Sequence, residues 1–247
     1  EHIQGGKIMN DIEKLQKIID ESERIVFFTG AGVSTDSNIP DFRSTDGLYN
    51  QQYAYPPETI LSHTFFRYYP EEFFRFYYDK MIYPDARPNA THIFIAECEA
   101  KGKSLGVVTQ NIDGLHQAAG STKVYELHGS VARNYCSKCG KFYSLDDLPD
   151  KPHVPHCTCG GVIKPDVVLY EEILNEDVVQ GALHAISNAD TLIVCGTSLN
   201  VYPAAGFLHY FRGNNLVLIN KSTTPYDSQA DLLIQKPLAE VLPLIKL

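Results

Sequence analysis

Apolar positions along this chain follow two rhythms. Between residues 10 and 23 they recur at Ile12, Leu15 and Ile19, the spacing of one helical face, behind Asn10 or Asp11 as a cap. Elsewhere they gather into short runs: "RIVFF" from residue 24, "SLGVVT" from 104, "KVYEL" from 123, "TLIVCG" from 191 and "NLVLIN" from 215. Runs rich in β-branched and aromatic residues, with no polar alternate face, predict strands buried on both sides. "NATHIFIAECEAKG" and "NEDVVQGALHAIS" read as helices standing between them. Strands alternating with helices predict an α/β fold built on a doubly wound, Rossmann-like parallel sheet.

Two stretches break the alternation. Residues 48–83 are dense in Tyr and Phe, as in "YYPEEFFRFYYDKMIY", and are punctuated by Pro56, Pro57 and Pro70. That density predicts a local helical core. The second stretch, about 130–165, carries four cysteines. The expected organisation is therefore a Rossmann-like sheet domain from 9–43, 89–129 and 166–247, and a smaller domain from the helical insertion 44–88 and the cysteine module 130–165. Residues 1–8, "EHIQGGKI", precede Met9 and read as a cloning remnant.

Charge narrows the partners. A formal net charge of −9, with no basic run, argues against direct nucleic-acid binding. An acidic surface suits basic peptide segments, although it serves solubility in most proteins. No apolar stretch approaches the roughly 20 residues of a membrane span, and no basic segment leads into an apolar one, so the expected setting is cytoplasmic with no membrane partner.

Six cysteines without a secretion signal point away from a disulfide framework. Cys98 and Cys195 lie inside apolar runs and are expected to act as small core residues. Cys136, Cys139, Cys157 and Cys159 form two close pairs, "CSKC" and "CTC", able to fold around one ion. Four soft thiolates favour tetrahedral zinc and fill its coordination sphere, so the metal is expected to be structural. His153 and His156, nearby, are expected to be exposed loop residues.

The run "RIVFF" leads into Gly30-Ala31-Gly32, whose backbone can approach a pyrophosphate at the start of a following helix. The dehydrogenase fingerprint would place glycine or alanine at position 35, which is Thr35, and a second strand ending near position 50, which falls in "DGLYNQQYAY". A dinucleotide fits this loop better than hydride transfer does.

"GAGVST", "PDFRS", "TQNIDGLH", "ELHGS", the four cysteines, "KPDVVLYEE" and "GTSLNVYPAAG" come in the order and spacing of the sirtuins, NAD-dependent protein lysine deacylases, which the chain resembles over everything after Met9. The resemblance implies NAD as co-substrate and a structural Zn2+. Gly30, Ala31, Gly32 and Thr35 match the phosphate loop; Asp41, Phe42 and Arg43 match a mobile loop closing over the nicotinamide ribose. Gln110, Asn111, Ile112 and Asp113 match the ribose and nicotinamide pocket, Thr197 and Ser198 a second phosphate and ribose contact, and Asn220 with Lys221 the adenosine ribose contact. His128 is the implied general base, with an imidazole suited to proton transfer near neutral pH. His116 matches a packing position.

In the implied reaction an acetyl-lysine oxygen displaces nicotinamide, His128 deprotonates a ribose hydroxyl, and the acetyl group leaves as O-acetyl-ADP-ribose. Val168, Leu169 and Tyr170 on one side, with Asn200 and Val201 on the other, are the implied edges between which an acetyl-lysine peptide adds as a strand. Tyr170-Glu171-Glu172 stands where the family frequently has Phe-Gly-Glu. Family members that prefer acidic acyl groups resemble one another in a Tyr-x-x-Arg pair; here Tyr77 is followed by Lys80, which favours uncharged acyl groups, with Arg75 and Arg87 as the nearby cations. The alternatives are a mono-ADP-ribosyltransferase using the same NAD pocket and an NAD-sensing adaptor whose zinc module binds a partner.

Overall fold

The computed structural model of the chain describes residues 9–41 and 53–247. Its strands are, in chain order, β1 (Ile25–Thr29), β2 (Ser104–Thr109), β3 (Val124–Glu126), β4 (Gly129–Cys136), β5 (Phe142–Ser144), β6 (Ile163–Val167), β7 (Thr191–Cys195), β8 (Asn215–Ile219) and β9 (Leu232–Ile234). Six of them form one sheet in the order β3-β2-β1-β7-β8-β9, every neighbouring pair parallel. Each run expected to be a buried strand takes its place in this sheet. β9, only three residues long, is too short to stand out as a run.

Side chains alternate through the sheet, so each strand feeds two cores. Ile25, Phe27, Ile193, Cys195, Val217 and Ile219 meet Leu15 and Ile19 of the helix Asp11–Glu21 and Phe94, Ile95 and Cys98 of the helix Ala90–Ala100. Val26, Phe28, Leu192, Val194, Leu216 and Leu218 meet Ala182, Ala185 and Ile186 of the helix Glu176–Asn188 and Phe207 and Leu208 of the 3-10 segment Ala204–Tyr210. Both faces are covered, which is why the strands read as unbroken apolar runs. Cys98 and Cys195 are fully buried, and burial pushes each thiol up to about 12.

The aromatic stretch is helical, over Pro57–Ile60, His63–Tyr68 and Pro70–Lys80. Phe73, Phe74, Phe76 and Tyr77 are 0% exposed, and each buries apolar area worth roughly 1.5–3 kcal/mol. They pack on Val131 of β4, Val167 of β6, Val154 and Leu169, so one core draws on both insertions. Around the cysteines the chain forms an antiparallel sheet, β5-β4-β6, that the sequence pattern did not predict. Arg133 of β4 ties it to the large sheet, meeting Glu126 of β3 at 2.8 Å and Asp166 of β6 at 2.9 Å.

Candidate functional site

The segments expected to carry chemistry leave the carboxyl ends of the parallel strands: Gly30 after β1, Gln110 after β2, His128 after β3, Gly196 after β7 and Asn220 after β8. β1 lies between β2 and β7, and the chain beyond β1 reaches the first face while the chain beyond β7 reaches the second. Such a reversal opens a crevice for a ligand.

At its floor the two glycine turns interlock. Gly30 N–H donates to Cys195 C=O at 3.3 Å and Gly32 N–H to Gly196 C=O at 2.8 Å. A Cβ on Gly32 would stand 2.8 Å from Gly196 Cα, and one on Gly30 would stand 2.7 Å from Thr197 Cβ. The helix expected to follow this loop is absent from residues 31–41. Two short 3-10 turns, Ala31–Val33 and Thr35–Ser37, stand there, the second ended by Asn38 at φ 64° with Pro40 just beyond. Thr35 turns its hydroxyl onto Gly32 C=O at 3.1 Å, closing the loop on itself.

The segment after β2 is fixed side chain by side chain. Gln110 Nε2 donates to Thr197 Oγ1 at 3.1 Å, and Asn111 Nδ2 donates to Gly30 C=O at 2.9 Å. Ile112 packs on the aromatic core and its C=O accepts from Val131 N–H at 3.0 Å. Asp113 accepts from Leu115 N–H at 2.9 Å through Oδ1 and from Ser34 Oγ–H at 2.6 Å through Oδ2. Ser34 in turn lies 3.3 Å from His92 Nε2. Because Asn89 N–H donates to His92 Nδ1 at 3.1 Å, the ring proton sits on Nε2 and the relay runs His92 to Ser34 to Asp113. Burial keeps His92 neutral by lowering its pKa, against the pull of Asp113. His116, 1% exposed beside it with ring centroids 5.0 Å apart, packs as expected, and burial lowers its pKa to about 3.

His128 Nδ1 lies 2.9 Å from Gln110 C=O. A carbonyl only accepts, so Nδ1 carries the proton and Nε2 keeps its lone pair. Burial lowers the His128 pKa, and the hydrogen bond to Gln110 opposes that shift without reversing it. At neutral pH the ring is therefore a neutral base. Its own C=O accepts from Val168 N–H at 2.9 Å, which places the first of the expected peptide-edge residues beside it.

Thr197 is buried, taking Gln110 Nε2 and Leu199 N–H on its hydroxyl, while Ser198 stands at the rim. Asn220 N–H pairs with Ile234 C=O at 3.1 Å, and its side chain closes on Ser222 C=O at 3.0 Å; Lys221 is exposed. Ala31 and Asp41 are partly exposed, and Phe42 and Arg43 lie outside the described residues.

The four cysteine sulfurs lie within 4.8 Å of one another, with Cys136 to Cys159 at 3.5 Å and Cys139 to Cys157 at 3.7 Å. Sulfurs held tetrahedrally about 2.3 Å from zinc would lie about 3.8 Å apart, so the set fits. The backbone amide of Cys159 and then the Tyr143 hydroxyl, 3.1 Å from Sγ, bring the Cys157 thiol down to about 6.

On the expected peptide edge, Tyr170 keeps an exposed side chain while its backbone is paired. Its N–H donates to Leu61 C=O at 2.9 Å and its C=O accepts from His63 N–H at 3.0 Å, so this residue faces the helical insertion. Leu169 is buried in the aromatic core. Asn200 and Val201 follow Leu199, which is buried at φ 55°. Arg75 is held by Glu72 at 2.5 Å and lies over the Tyr53 ring, while Arg87 Nη1 donates to the carbonyls of Pro84 and Ala86. The Tyr77 hydroxyl is buried in the aromatic core.

The Sir2 family profile matches residues 30–203. This chain belongs to the Sir2 family. An NAD-dependent protein deacetylase of Clostridium acetobutylicum is 57% identical to it over 239 residues, covering 95% of this chain and 98% of the relative. One from Staphylococcus aureus is 48% identical over 236 residues, covering 94% and 97%. A Sir2 structure with a deacetylated p53 peptide and 3'-O-acetyl ADP ribose superposes with a TM-score of 0.86 at 38% identity, over 95% of this chain and 97% of that one. A Sir2 structure with a p53 peptide and NAD+ gives 0.82 at 38% identity, over 95% and 96%.

Within this Sir2-family site, sequence reasoning missed Ser34 and His92. Ser34 sits inside "GAGVST", but its partner His92 is far along the chain in a helix read only as a connection between strands.

Proposed function

We propose that this Sir2-family chain is an NAD-dependent protein lysine deacetylase, moving the acetyl group of an acetyl-lysine onto ADP-ribose with release of nicotinamide. The observation that carries this reading is the setting of His128: a neutral imidazole at the strand ends, its tautomer fixed by Gln110 C=O and its own C=O paired with Val168 N–H. An adaptor that only senses NAD has no use for such a base.

NAD, when bound, supplies both the acyl acceptor and the leaving nicotinamide. Gly30, Gly32 and Thr197 would hold its phosphates, Gln110 a ribose, Asn220 the adenosine side and Asp113 the nicotinamide amide. The relay from His92 through Ser34 orients the Asp113 carboxylate before anything binds, which reduces reorganisation during reaction. His128 Nε2 takes a proton from a sugar hydroxyl. The aromatic core against Ile112 keeps water from one wall of the crevice. Cys136, Cys139, Cys157 and Cys159 would hold a zinc ion with four thiolates, leaving no position for substrate and joining the strands of the small sheet. Its partners are proteins carrying acetyl-lysine, and the free thiols at Cys98 and Cys195 suit a reducing, cytoplasmic setting.

The test is to incubate the protein with an acetyl-lysine peptide, with and without NAD, and follow products by mass spectrometry. Equal, NAD-dependent yields of deacetylated peptide, nicotinamide and O-acetyl-ADP-ribose are expected. Nicotinamide release with covalent ADP-ribosylation of protein instead would move the assignment to ADP-ribosyl transfer.

A further inference from the structure

The turn after β6 is held in shape by a side chain. Glu172 N–H donates to Leu169 C=O at 3.0 Å, and Glu171, third in this turn, has φ 74°. Tyr170, at the second position, has no positive φ, so the turn is of type II, whose third position favours glycine. A glutamate there sits in a left-handed conformation that L-residues avoid.

Residues 61–64 hold it. The Glu171 carboxylate accepts from Thr64 N–H at 3.1 Å and from Thr64 Oγ–H at 2.6 Å. The preceding carbonyl, Tyr170 C=O, is pinned by His63 N–H at 3.0 Å. Glu172 adds contacts to Leu169 N–H at 2.8 Å, His63 Nδ1 at 2.8 Å and Lys164 Nζ at 3.2 Å. The Tyr170–Glu171 peptide unit, which would rotate through about 180° if the turn relaxed to type I, is thereby clamped on both sides. Beyond the clamp the Glu171 N–H and C=O pair with no described protein group, and Ile173 is 92% exposed. The hydrogen bonds from Thr64 also lower the Glu171 pKa, so the latch is ionised at neutral pH.

Resting on the deacetylase reading above, we propose that Glu171 is a positioning residue for the substrate: its carboxylate, latched to Thr64, keeps the turn in the one conformation that offers the Glu171 backbone to an added peptide strand. The side chain thus substitutes for the conformational freedom of glycine.

The experiment compares wild type with Glu171→Ala, Glu171→Gly, Thr64→Val and the Thr64→Val/Glu171→Ala pair. It measures peptide KM, kcat and NAD KM, and peptide Kd by fluorescence anisotropy. Glu171→Ala is expected to raise peptide KM and Kd about fivefold to tenfold, the scale of a lost left-handed conformation, with kcat and NAD KM within about twofold. Glu171→Gly, which needs no latch, is expected to return both to within about twofold of wild type. Thr64→Val is expected to weaken peptide binding, and the double variant to be no worse than Glu171→Ala. Wild-type affinity in Glu171→Ala would overturn the proposal. So would Glu171→Gly as impaired as Glu171→Ala, which would mean that the carboxylate touches the peptide itself. If Glu171→Ala does not fold, unchanged peptide affinity in Thr64→Val overturns it equally. An acetyl-lysine peptide that binds with this pattern but is not deacetylated in the presence of NAD would sink the activity and leave the latch standing.

Discussion

His128 and Asp113 both stand at the carboxyl ends of the parallel strands, and their neighbours suit them to different tasks. Burial lowers the His128 pKa, while Asp113 keeps a hydroxyl and a backbone amide as donors. Replacing His128 with Ala is expected to cost about 10²–10⁴-fold in kcat with NAD affinity retained, as read by product mass spectrometry and by titration with NAD. Since the neutral ring is the active form and its pKa lies below the usual 6.5, kcat is expected to hold below pH 6.5 and to fall only as pH drops through that lowered pKa. Ser34→Ala is expected to raise the Kd for NAD about tenfold by freeing the Asp113 carboxylate, the scale of a hydrogen bond to a charged group. Residues of this kind were legible where they sit together, as in "TQNID". The relay behind them was not, since Ser34, His92 and Asp113 meet only in space.

Elements were legible where burial was symmetric. β1, β2, β7 and β8 are covered on both faces and announce themselves as apolar runs, whereas β4 alternates between buried and exposed stretches and carries Arg133 and Asn134. Its partners β5 and β6 are short and mixed, and so the small sheet was hidden behind its cysteines. The missing helix after Gly32 has a local cause: Asn38 in the left-handed region and Pro40 break any helical run. Two outcomes belong to this scale. Gly32→Ala forces a methyl group against Gly196 and is expected to cost about 1–3 kcal/mol, lowering the melting midpoint by several degrees and weakening NAD binding, checked by calorimetry. Stripping zinc with a chelator is expected to release one equivalent of metal and to open residues 130–165 to protease, since nothing would then join the two cysteine pairs.

Across the whole molecule, neutral buried histidines set the response to acid. His92, His116 and His128 all have pKa values depressed by burial, to about 3 for His116. Below pH 6.5 the unfolded chain binds protons that the folded one refuses, so stability falls as pH falls, by about 1.4 kcal/mol per pH unit for each such ring until its folded pKa is reached. Glu171 and Glu172, with folded pKa values below the usual carboxylate range, lose their contribution further down. The melting midpoint is expected to decline between pH 7 and 5, and His116→Gln to show a shallower decline whatever its starting stability.

The strand order has a consequence during synthesis. β1 emerges early, yet one edge of it must wait for β7, whose Ile193 is the register partner of Phe27. At ordinary ribosome speeds that interval is on the order of ten seconds. Throughout it, the nascent chain carries a five-residue strand, buried in the finished protein, with an unpaired border. The stretch that later floors the crevice is therefore the one in most need of a chaperone's cover.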